Sequence, residues 1–327
     1  ECNANLTATV DYERAVLGST ISFVIVPTPT DADGGFSLHF VRPVCEQIGK
    51  VLRNKTDYHV VVITSTVLPG STEAQIQPIL EENSGKRCGQ DFGLCYSPEF
   101  VALGSVISDM KNPDFLLMGQ GDTRAGQTAA EISLTICEND PDVARMNIVN
   151  VEIAKLAVNT FVTTKITFAN MLARICEQVP DADVDVVTAA LGMDPRIGSK
   201  YLLGALGYGG PCFPRDNIAL SFMARQLGVE PILAEATDKA NRLQVTALMD
   251  VITKELRPGG TVGVLGLSYK PDTDVVEESQ GMALAGALLE DGVKVIAYDP
   301  AAMNNALPGL EGDIRFVDSA KECCRQS

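Results

Sequence analysis

Residues 60–82, VVVITSTVLPGSTEAQIQPILEE, place a short apolar run directly before a turn and a helix-like segment. Residues 60–64 are rich in β-branched side chains and predict a buried strand. Pro69 and Gly70 mark the turn, and the pattern over residues 71–82 predicts a helix. A strand, a turn and a helix in this order are typical of an α/β sheet.

The same alternation extends over residues 1–150. Further apolar runs predict strands at residues 22–26, 93–96 and 115–119. Connections such as residues 38–52 are long enough to be crossover helices, which favours parallel strands. We therefore expect a doubly wound, Rossmann-like domain over residues 1–150.

Two further regions follow. Residues 151–256 have a helical pattern, interrupted by a glycine-rich loop at residues 204–210, and predict an all-α central domain. Residues 257–327 return to strand, helix and strand, which predicts a second Rossmann-like α/β domain.

Both α/β regions are expected to be incomplete. A doubly wound domain that binds a dinucleotide opens with a strand and a G-x-G-x-x-G turn, and we find no such turn before Ser22. The first domain thus lacks its first βαβ unit, and the sequence stops soon after the second α/β region has begun. We expect a fragment of a longer chain.

The composition excludes several classes of partner. The chain has 42 acidic and 26 basic residues and a formal net charge of -16, so neither nucleic acid nor an anionic membrane is expected to bind. No apolar run reaches the roughly 18 residues of a membrane span, and no signal pattern is visible, which favours a cytoplasmic protein. Nine scattered cysteines predict reduced thiols, and two histidines without paired C-x-x-C elements predict no metal site.

Residues 207–216, GYGGPCFPRD, hold one cysteine in a loop of glycines and prolines. Glycines let a backbone approach a ligand closely, and prolines fix the shape of a loop. Cys212, beside Arg215 and ahead of a predicted helix, has the surroundings of a nucleophile. The residues alone also allow a second interpretation, in which Cys212 is a buried thiol in a tight turn.

Other polar residues stand where ligands bind. Lys155 and Asn159 are four residues apart and share one helix face, although such a pair is also typical of a solvated stripe. Thr66 and Glu99 follow predicted strands, at the sheet edge that binds ligands in open α/β folds. Taken singly, Thr66 fits a capped helix start and Glu99 an exposed loop carboxylate.

Together these segments resemble the motifs of the UDP-glucose/GDP-mannose dehydrogenase family. The cysteine loop matches eight of the ten positions of the family's G-[FY]-G-G-S-C-[FL]-P-K-D, the departures being Pro211 and Arg215. Residues 152–166 resemble its E-x-x-K-x-x-x-N helix, and residues 65–71 resemble its S-T-[VL]-x-P-G-[ST] turn. Further resemblances lie at residues 26–29 (V-P-T-P), 97–100 (S-P-E-F), 196–202 (R-I-G-S-K-Y-L) and 266–274 (G-L-S-Y-K-P-D-T-D).

The resemblance implies an NAD-dependent, four-electron oxidation of the C6 alcohol of a nucleotide sugar to the carboxylate. Cys212 would carry the thiohemiacetal and the thioester. The other catalytic positions by resemblance are Lys155, Asn159, Asp216, Thr66 and Glu99. The cofactor positions are Thr28, Thr66 and Arg215. The substrate positions are Glu99, Lys155, Asn159, Arg196, Tyr201, Leu202, Gly209 and Lys270.

Some alternatives stay open. Phe100 favours UDP-glucose as the substrate, whereas UDP-N-acetyl-hexosamines and GDP-mannose are the alternatives within the family. Leu103 and Glu277 stand where many members carry glutamate and arginine, so contacts there are expected to differ. A binding fragment without dehydrogenase activity is a different class of function. A cysteine hydrolase is disfavoured because His39 and His59 both lie far upstream of Cys212.

The central helices also predict an oligomer. An apolar face on long helices would otherwise stay exposed, so we expect a homodimer through the central region.

Overall fold

The computed structural model describes residues 6–327. They form two compact units, which divide between residues 156 and 157. Within the described residues, no helix is long and apolar enough to cross a membrane. Each unit contains its own sheet, as the alternating pattern at the two ends of the sequence predicts.

The first unit is built on a five-stranded sheet. Its strands, in chain order and in spatial order, are β1 (Ile21–Val24), β2 (His59–Ile63), β3 (Phe92–Tyr96), β4 (Phe115–Gln120) and β5 (Asp142–Met146). Four of these were predicted within a few residues. Strand β5 was not predicted, because its sequence DVARM has two charged residues without a regular alternation and forms no continuous apolar run.

One strand direction differs from the prediction. The neighbours β1, β2 and β3 are parallel, and so are β4 and β5, but β3 and β4 are antiparallel. The connection between them runs over residues 97–114, but its helix, α4 (Val106–Lys111), has only six residues, so it is not the long crossover helix usual between parallel strands. The prediction of parallel strands throughout was therefore wrong at this pair.

Helices cover both faces of this sheet. Besides α4 they are α1 (Tyr12–Leu17), α2 (Val41–Leu52), a π-helical turn (Thr72–Ile76) that continues into α3 (Gln77–Ser84), and α5 (Thr123–Leu134). Strands β2 and β3 are buried along their whole length, as expected for central strands covered on both faces. Their carboxyl ends carry the loops that hold the predicted site residues.

The division between the units falls inside one long helix, α6 (Ile148–Cys176). The second unit continues with α7 (Val184–Gly192), α8 (Phe213–Gln226) and α9 (Ile232–Glu255). The prediction of a helical centre is confirmed, and the glycine-rich stretch before α8 is a loop, as predicted.

The second unit ends in a three-stranded parallel sheet of β6 (Thr261–Leu265), β7 (Lys294–Tyr298) and β8 (Ile314–Phe316). It is accompanied by α10 (Gln280–Glu290), α11 (Met303–Ala306) and α12 (Ala320–Gln326). A separate core joins this sheet to α10, with Val264, Leu288 and Ala297 buried at its centre. The second Rossmann-like pattern is confirmed, while the division of the chain into three domains stays a prediction.

Candidate active site

In the first unit, two predicted residues lie at the carboxyl ends of β1 and β2. The hydroxyl of Thr28 donates to the backbone oxygen of Thr66 over 2.7 Å, and Thr28 is 4% exposed. Ser65 fixes the same pair of loops, because its Oγ accepts from the amide of Val26 and donates to the Val26 carbonyl. Thr28 and Thr66 therefore lie in two loops that are joined by hydrogen bonds at the same edge of the sheet.

The turn after β2 is anchored by a residue that the sequence analysis did not single out. Glu152, on α6, is fully buried, and its carboxylate accepts from the amides of Gly70 and Thr72 over 2.6 and 3.0 Å. Burial raises the pKa of this carboxyl above its ordinary value, although those hydrogen bonds oppose the shift. Glu152 thus ties residues 65–72 to α6, which gives a physical reason for the glutamate that opens the E-x-x-K-x-x-x-N pattern.

Lys155 and Glu99 are also brought together in the first unit. The ammonium of Lys155 donates to the backbone oxygen of Glu99 and lies 4.1 Å from the ring centroid of Phe100. Partial burial raises the pKa of the Glu99 carboxyl, and the positive charge of Lys155 opposes that rise. Glu99 still has an exposed surface, so its carboxyl can meet water or a ligand.

In the second unit, Cys212 is the N-cap residue of α8, and it is exposed. Pro214 occupies the first turn of that helix, where its missing amide hydrogen costs no hydrogen bond. The amide groups and the dipole at a helix N-terminus favour an anion, and a thiolate is one. Because the thiol is exposed, the reading of Cys212 as a buried thiol is wrong.

Asp216 and Asn159 form a close pair beneath this loop. Nδ2 of Asn159 donates to Oδ2 of Asp216 over 2.6 Å, and Asp216 is 1% exposed. One turn further along α6 and one residue further along α8, the hydroxyl of Thr163 donates to Oδ1 of Asn217 over 3.1 Å. Arg215 Nε lies 3.9 Å from Asp216 Oδ1 and adds a positive charge. The structure therefore joins three predicted residues in one polar cluster.

The loop after β6 packs on the cysteine loop. A Cβ atom on Gly210 would lie 2.5 Å from the ring of Tyr269, and one on Gly209 would lie 2.1 Å from the backbone oxygen of Glu278. Burial, followed by the charge of Cys212, raises the pKa of the Tyr269 hydroxyl. Tyr269 was missed by the sequence analysis, although it stands directly before Lys270, whose Nζ lies 5.8 Å from its ring centroid.

The turn that carries Arg196, Tyr201 and Leu202 is arranged differently. The guanidinium of Arg196 forms a bidentate pair with Asp194 and is strongly exposed, so it does not join the polar cluster of Asn159, Asp216 and Arg215. Tyr201 has a positive φ of 60° and an exposed ring, whereas Leu202 is buried. Lys165 of α6 donates to the carbonyls of Ile197 and Gly198 and fixes the turn.

An acid at the end of β7 holds the Lys270 loop. Asp299 is 3% exposed, and Oδ2 accepts from the amides of Leu267 and Ser268 over 2.7 and 2.9 Å. Its Oδ1 accepts from the amides of Ala301 and Ala302 over 2.8 and 2.7 Å. In a dinucleotide-binding sheet an acid at this place binds ribose hydroxyls, whereas here both oxygens are engaged by backbone amides.

Comparison with known proteins matches three consecutive parts of the chain to one family. Residues 1–136 match the NAD binding domain of the UDP-glucose/GDP-mannose dehydrogenase family, residues 149–243 its central domain and residues 263–327 its UDP binding domain. The chain belongs to this family. It is therefore placed among the NAD-dependent dehydrogenases, and it carries the domain that binds the cofactor.

Named relatives and a solved structure agree with this placement. A UDP-glucose 6-dehydrogenase of Haloferax volcanii is 38% identical over 97% of this chain and 74% of its own length. A GDP-mannose 6-dehydrogenase of Azotobacter vinelandii is 35% identical over 90% of this chain and 66% of its own length. The structure of a UDP-glucose dehydrogenase from Pyrobaculum islandicum has a TM-score of 0.89 and 33% identity, over 97% of this chain and 72% of that one.

Proposed function

We propose that this protein oxidises the C6 alcohol of UDP-glucose to the carboxylate, with two molecules of NAD consumed per turnover. The observation that carries the proposal is Cys212, an exposed thiol at the N-terminus of α8, on the same helix as the buried Asp216, which accepts from the half-buried Asn159. Such a thiol can hold the aldehyde from the first oxidation until the second is complete. Similarity to UDP-glucose dehydrogenases from two archaea supports the substrate.

The first unit offers residues that fit the cofactor. NAD, when bound, accepts a hydride in each of the two oxidations. Thr28 and Thr66 line adjacent loops at the carboxyl ends of β1 and β2, the edge at which open α/β sheets bind ligands. We assign these two threonines to the cofactor, and the family resemblance adds Arg215.

Cys212 forms two covalent intermediates in turn. The thiolate attacks the aldehyde carbon, a carbon–sulfur bond forms, and the carbonyl oxygen becomes a thiohemiacetal alkoxide. Loss of a hydride from the same carbon gives a thioester, and water then breaks the carbon–sulfur bond to release the carboxylate and restore the thiol. The whole reaction takes one alcohol, two NAD⁺ and one water, and yields one carboxylate, two NADH and three protons.

The polar neighbours are assigned to the charged intermediates. Nδ2 of Asn159 gives one hydrogen to Asp216 and has a second for the developing oxyanion. Asp216 holds that amide in place, and we assign to it the ordering of water. By resemblance, Lys155 stabilises an oxyanion, while Glu99 and Thr66 act on water. Gly209 and Lys270 are assigned to the substrate, together with Arg196, Tyr201 and Leu202 of the preceding turn.

Two measurements test this proposal: the number of NADH formed per product, and the activity of a variant that lacks the Cys212 thiol. Incubation with NAD and UDP-glucose should produce two NADH for each UDP-glucuronate, measured by absorbance and chromatography. Cys212→Ser should lower formation of the acid by at least about 10³-fold, because an alcohol is a far weaker nucleophile than a thiolate. Acid formation by Cys212→Ser at the unchanged rate, or one NADH per turnover, would contradict the proposal. The exposed thiol variant Cys324→Ser is the control and should keep full activity.

GDP-mannose is the second candidate substrate. A relative named GDP-mannose 6-dehydrogenase is 35% identical to this chain, only slightly less than the archaeal UDP-glucose enzyme. The candidate substrates are separated by measuring kcat/KM, with NAD present, for UDP-glucose, UDP-N-acetyl-hexosamines and GDP-mannose. We expect UDP-glucose to exceed the others by at least about tenfold, a difference of about 1.4 kcal/mol in transition-state binding.

We also propose a homodimer through the central helices. A groove of about 720 Å³ runs between the second half of α6 and α9, and its lining includes the exposed side chains Phe168, Met171 and Val251. Arg174 and Lys254 line it together with Glu177 and Asp250, so a two-fold copy can match opposite charges. Phe168→Glu should yield a monomeric mass by light scattering, whereas Ile107→Glu, an exposed site in the first unit, should not.

The reaction as proposed requires a reduced thiol on Cys212. The cytoplasm keeps thiols reduced, and we place the protein there.

A further inference from the structure

The backbone of the cysteine loop is held by one amide side chain of α9. Asn241 is 5% exposed, its Oδ1 accepts from the amide of Tyr208 over 2.8 Å, and its Nδ2 donates to the carbonyl of Tyr208 over 2.9 Å. To bond both the N–H and the C=O of one residue, a side chain needs an acceptor and a donor in one plane. The amide of asparagine provides both. Asn241 thus pairs with Tyr208 as a neighbouring strand would.

The residue before Tyr208 must leave room for this pairing. A Cβ atom on Gly207 would lie 2.4 Å from Oδ1 of Asn241, closer than any real contact. The glycine of the G-Y-G-G pattern is therefore explained by the close approach of α9.

The ring of Tyr208 is held at its other end. Nδ2 of Asn217 donates to the Tyr208 hydroxyl over 2.8 Å, and that hydroxyl donates to Oδ1 of Asp238 over 3.2 Å. Burial and the carboxylate of Asp238 raise the pKa of the hydroxyl, so it stays protonated and remains a donor. Tyr208 is held at its backbone and hydroxyl by Asn217, Asp238 and Asn241. Its carbonyl also accepts from Nε2 of Gln280 over 3.3 Å.

We propose that Asn241 is a positioning residue for Cys212. Tyr208 precedes the nucleophile by four residues, and the residues between them include Gly209 and Gly210, which have no side chain of their own to hold the loop. The Gly210 amide also donates to the Glu277 carbonyl over 3.0 Å, so loss of the Asn241 pair loosens the loop, and the sulfur is held less firmly at the N-terminus of α8. The inference rests on the proposed function of Cys212, and it gives Asn241 a role that acts through Tyr208 and touches no reacting atom.

The first test measures the thiol directly and needs no turnover. Iodoacetamide is added to Asn241→Ala and to the unsubstituted protein, and alkylation is followed peptide by peptide by mass spectrometry. The exposed Cys324 serves as the internal reference. We expect the Cys212 rate relative to Cys324 to fall about threefold, since the helix terminus favours the thiolate by a modest amount. Asn304→Ala, the same change at an exposed position of the second unit, should leave the ratio unchanged.

The second test uses turnover and pH. Asn241→Ala should lower kcat by about 10²-fold, as expected for a misplaced reacting group, with the KM for NAD unchanged. A protonated aspartic acid offers one donor and one acceptor, as an amide does. Asn241→Asp should therefore be impaired at neutral pH and recover towards the unsubstituted protein as the pH falls and the carboxyl protonates, each rate being divided by that of the unsubstituted protein at the same pH.

The outcomes separate this inference from the function on which it rests. Lower alkylation of Cys212 together with the pH recovery of Asn241→Asp supports the positioning role. An unchanged alkylation ratio, or an Asn241→Asp variant whose relative activity is independent of pH, overturns it even when the protein makes two NADH per turnover. If Asn241→Ala does not fold, the pH series of Asn241→Asp decides alone.

Discussion

At the scale of single residues, loops of the second unit are held by buried polar side chains that form hydrogen bonds with backbone groups. Asn241 holds one residue of the cysteine loop, and Asp299 holds the loop that carries Lys270. Each makes several hydrogen bonds from one buried position. Removing one partner leaves amides buried without an acceptor, which costs more than the hydrogen bond itself contributes.

Asp299→Asn is expected to destabilise the second unit by about 2 kcal/mol at pH 7, because an amide nitrogen cannot accept from the backbone N–H groups that it would face. Burial alone would raise the pKa of Asp299, but four backbone donors outweigh it and lower the pKa to about 2. The carboxylate therefore stabilises the fold above the unfolded pKa of about 3.9, and this contribution is lost as the pH falls to about 2.

Urea unfolding at several pH values measures this effect. The difference between Asp299→Asn and the unsubstituted protein should be largest near neutral pH and shrink below about pH 4. Asp291→Asn, an exposed acid of the same unit, is the control. A difference that stays constant down to pH 2 would mean that Asp299 contributes through packing and not through its charge.

At the scale of elements, the cysteine loop is packed against other loops that follow strands or precede helices. The end of β6, the turn before α10 and the N-terminus of α8 meet at Gly209, Gly210 and Tyr269. Sequence patterns predicted each loop but not this contact, because the partners lie about 60 residues apart in the chain. The sequence does show glycines at positions 209 and 210. Only the fold shows that a side chain at either position would collide with a neighbouring loop.

Gly210→Ala tests this contact, and Gly228→Ala is its matched control. Both glycines have positive φ, 83° and 72°, but a Cβ on Gly210 meets the Tyr269 ring whereas Gly228 has open space around it. Gly228→Ala should cost about 1 kcal/mol of unfolding free energy from backbone strain alone. Gly210→Ala should cost about 1–3 kcal/mol more from overpacking and should also lower kcat. Equal losses of unfolding free energy in the two variants would show that the Tyr269 ring moves aside without cost.

At the scale of the whole molecule, the two α/β regions and the helical centre could be predicted because each has its own periodicity. The antiparallel pair of β3 and β4 could not, since strand direction depends on the path of the connection, whose helix α4 has only six residues. Similarly, the sequence predicted Lys155 on a helix and Glu99 in a loop after a strand, but Glu152 was missed because a buried carboxylate that caps a turn has the same sequence signal as an exposed one.

The two units should also differ in their response to acid. In the first unit His59 is fully buried, Nδ1 donates to the carbonyl of Ser19, and Nε2 accepts from the hydroxyl of Ser22. Burial, followed by the charge of Lys55, lowers the pKa of His59 to about 4. A histidine that stays neutral in the fold stabilises it above its unfolded pKa of about 6.5, and about 3 kcal/mol is lost as the pH falls from there to about 4.

Asp299 loses its contribution only below about pH 4, so the first unit should open at a higher pH than the second. Hydrogen exchange read by mass spectrometry on peptides of each unit follows the two transitions separately. His59→Gln, which cannot take up a proton, should remove the pH dependence of the first unit between about pH 6.5 and pH 4 and leave the second unit as it was. His39→Gln, at an exposed position of the same unit, should change neither. Simultaneous opening of both units in the unsubstituted protein would show that His59 does not control the acid stability of the first.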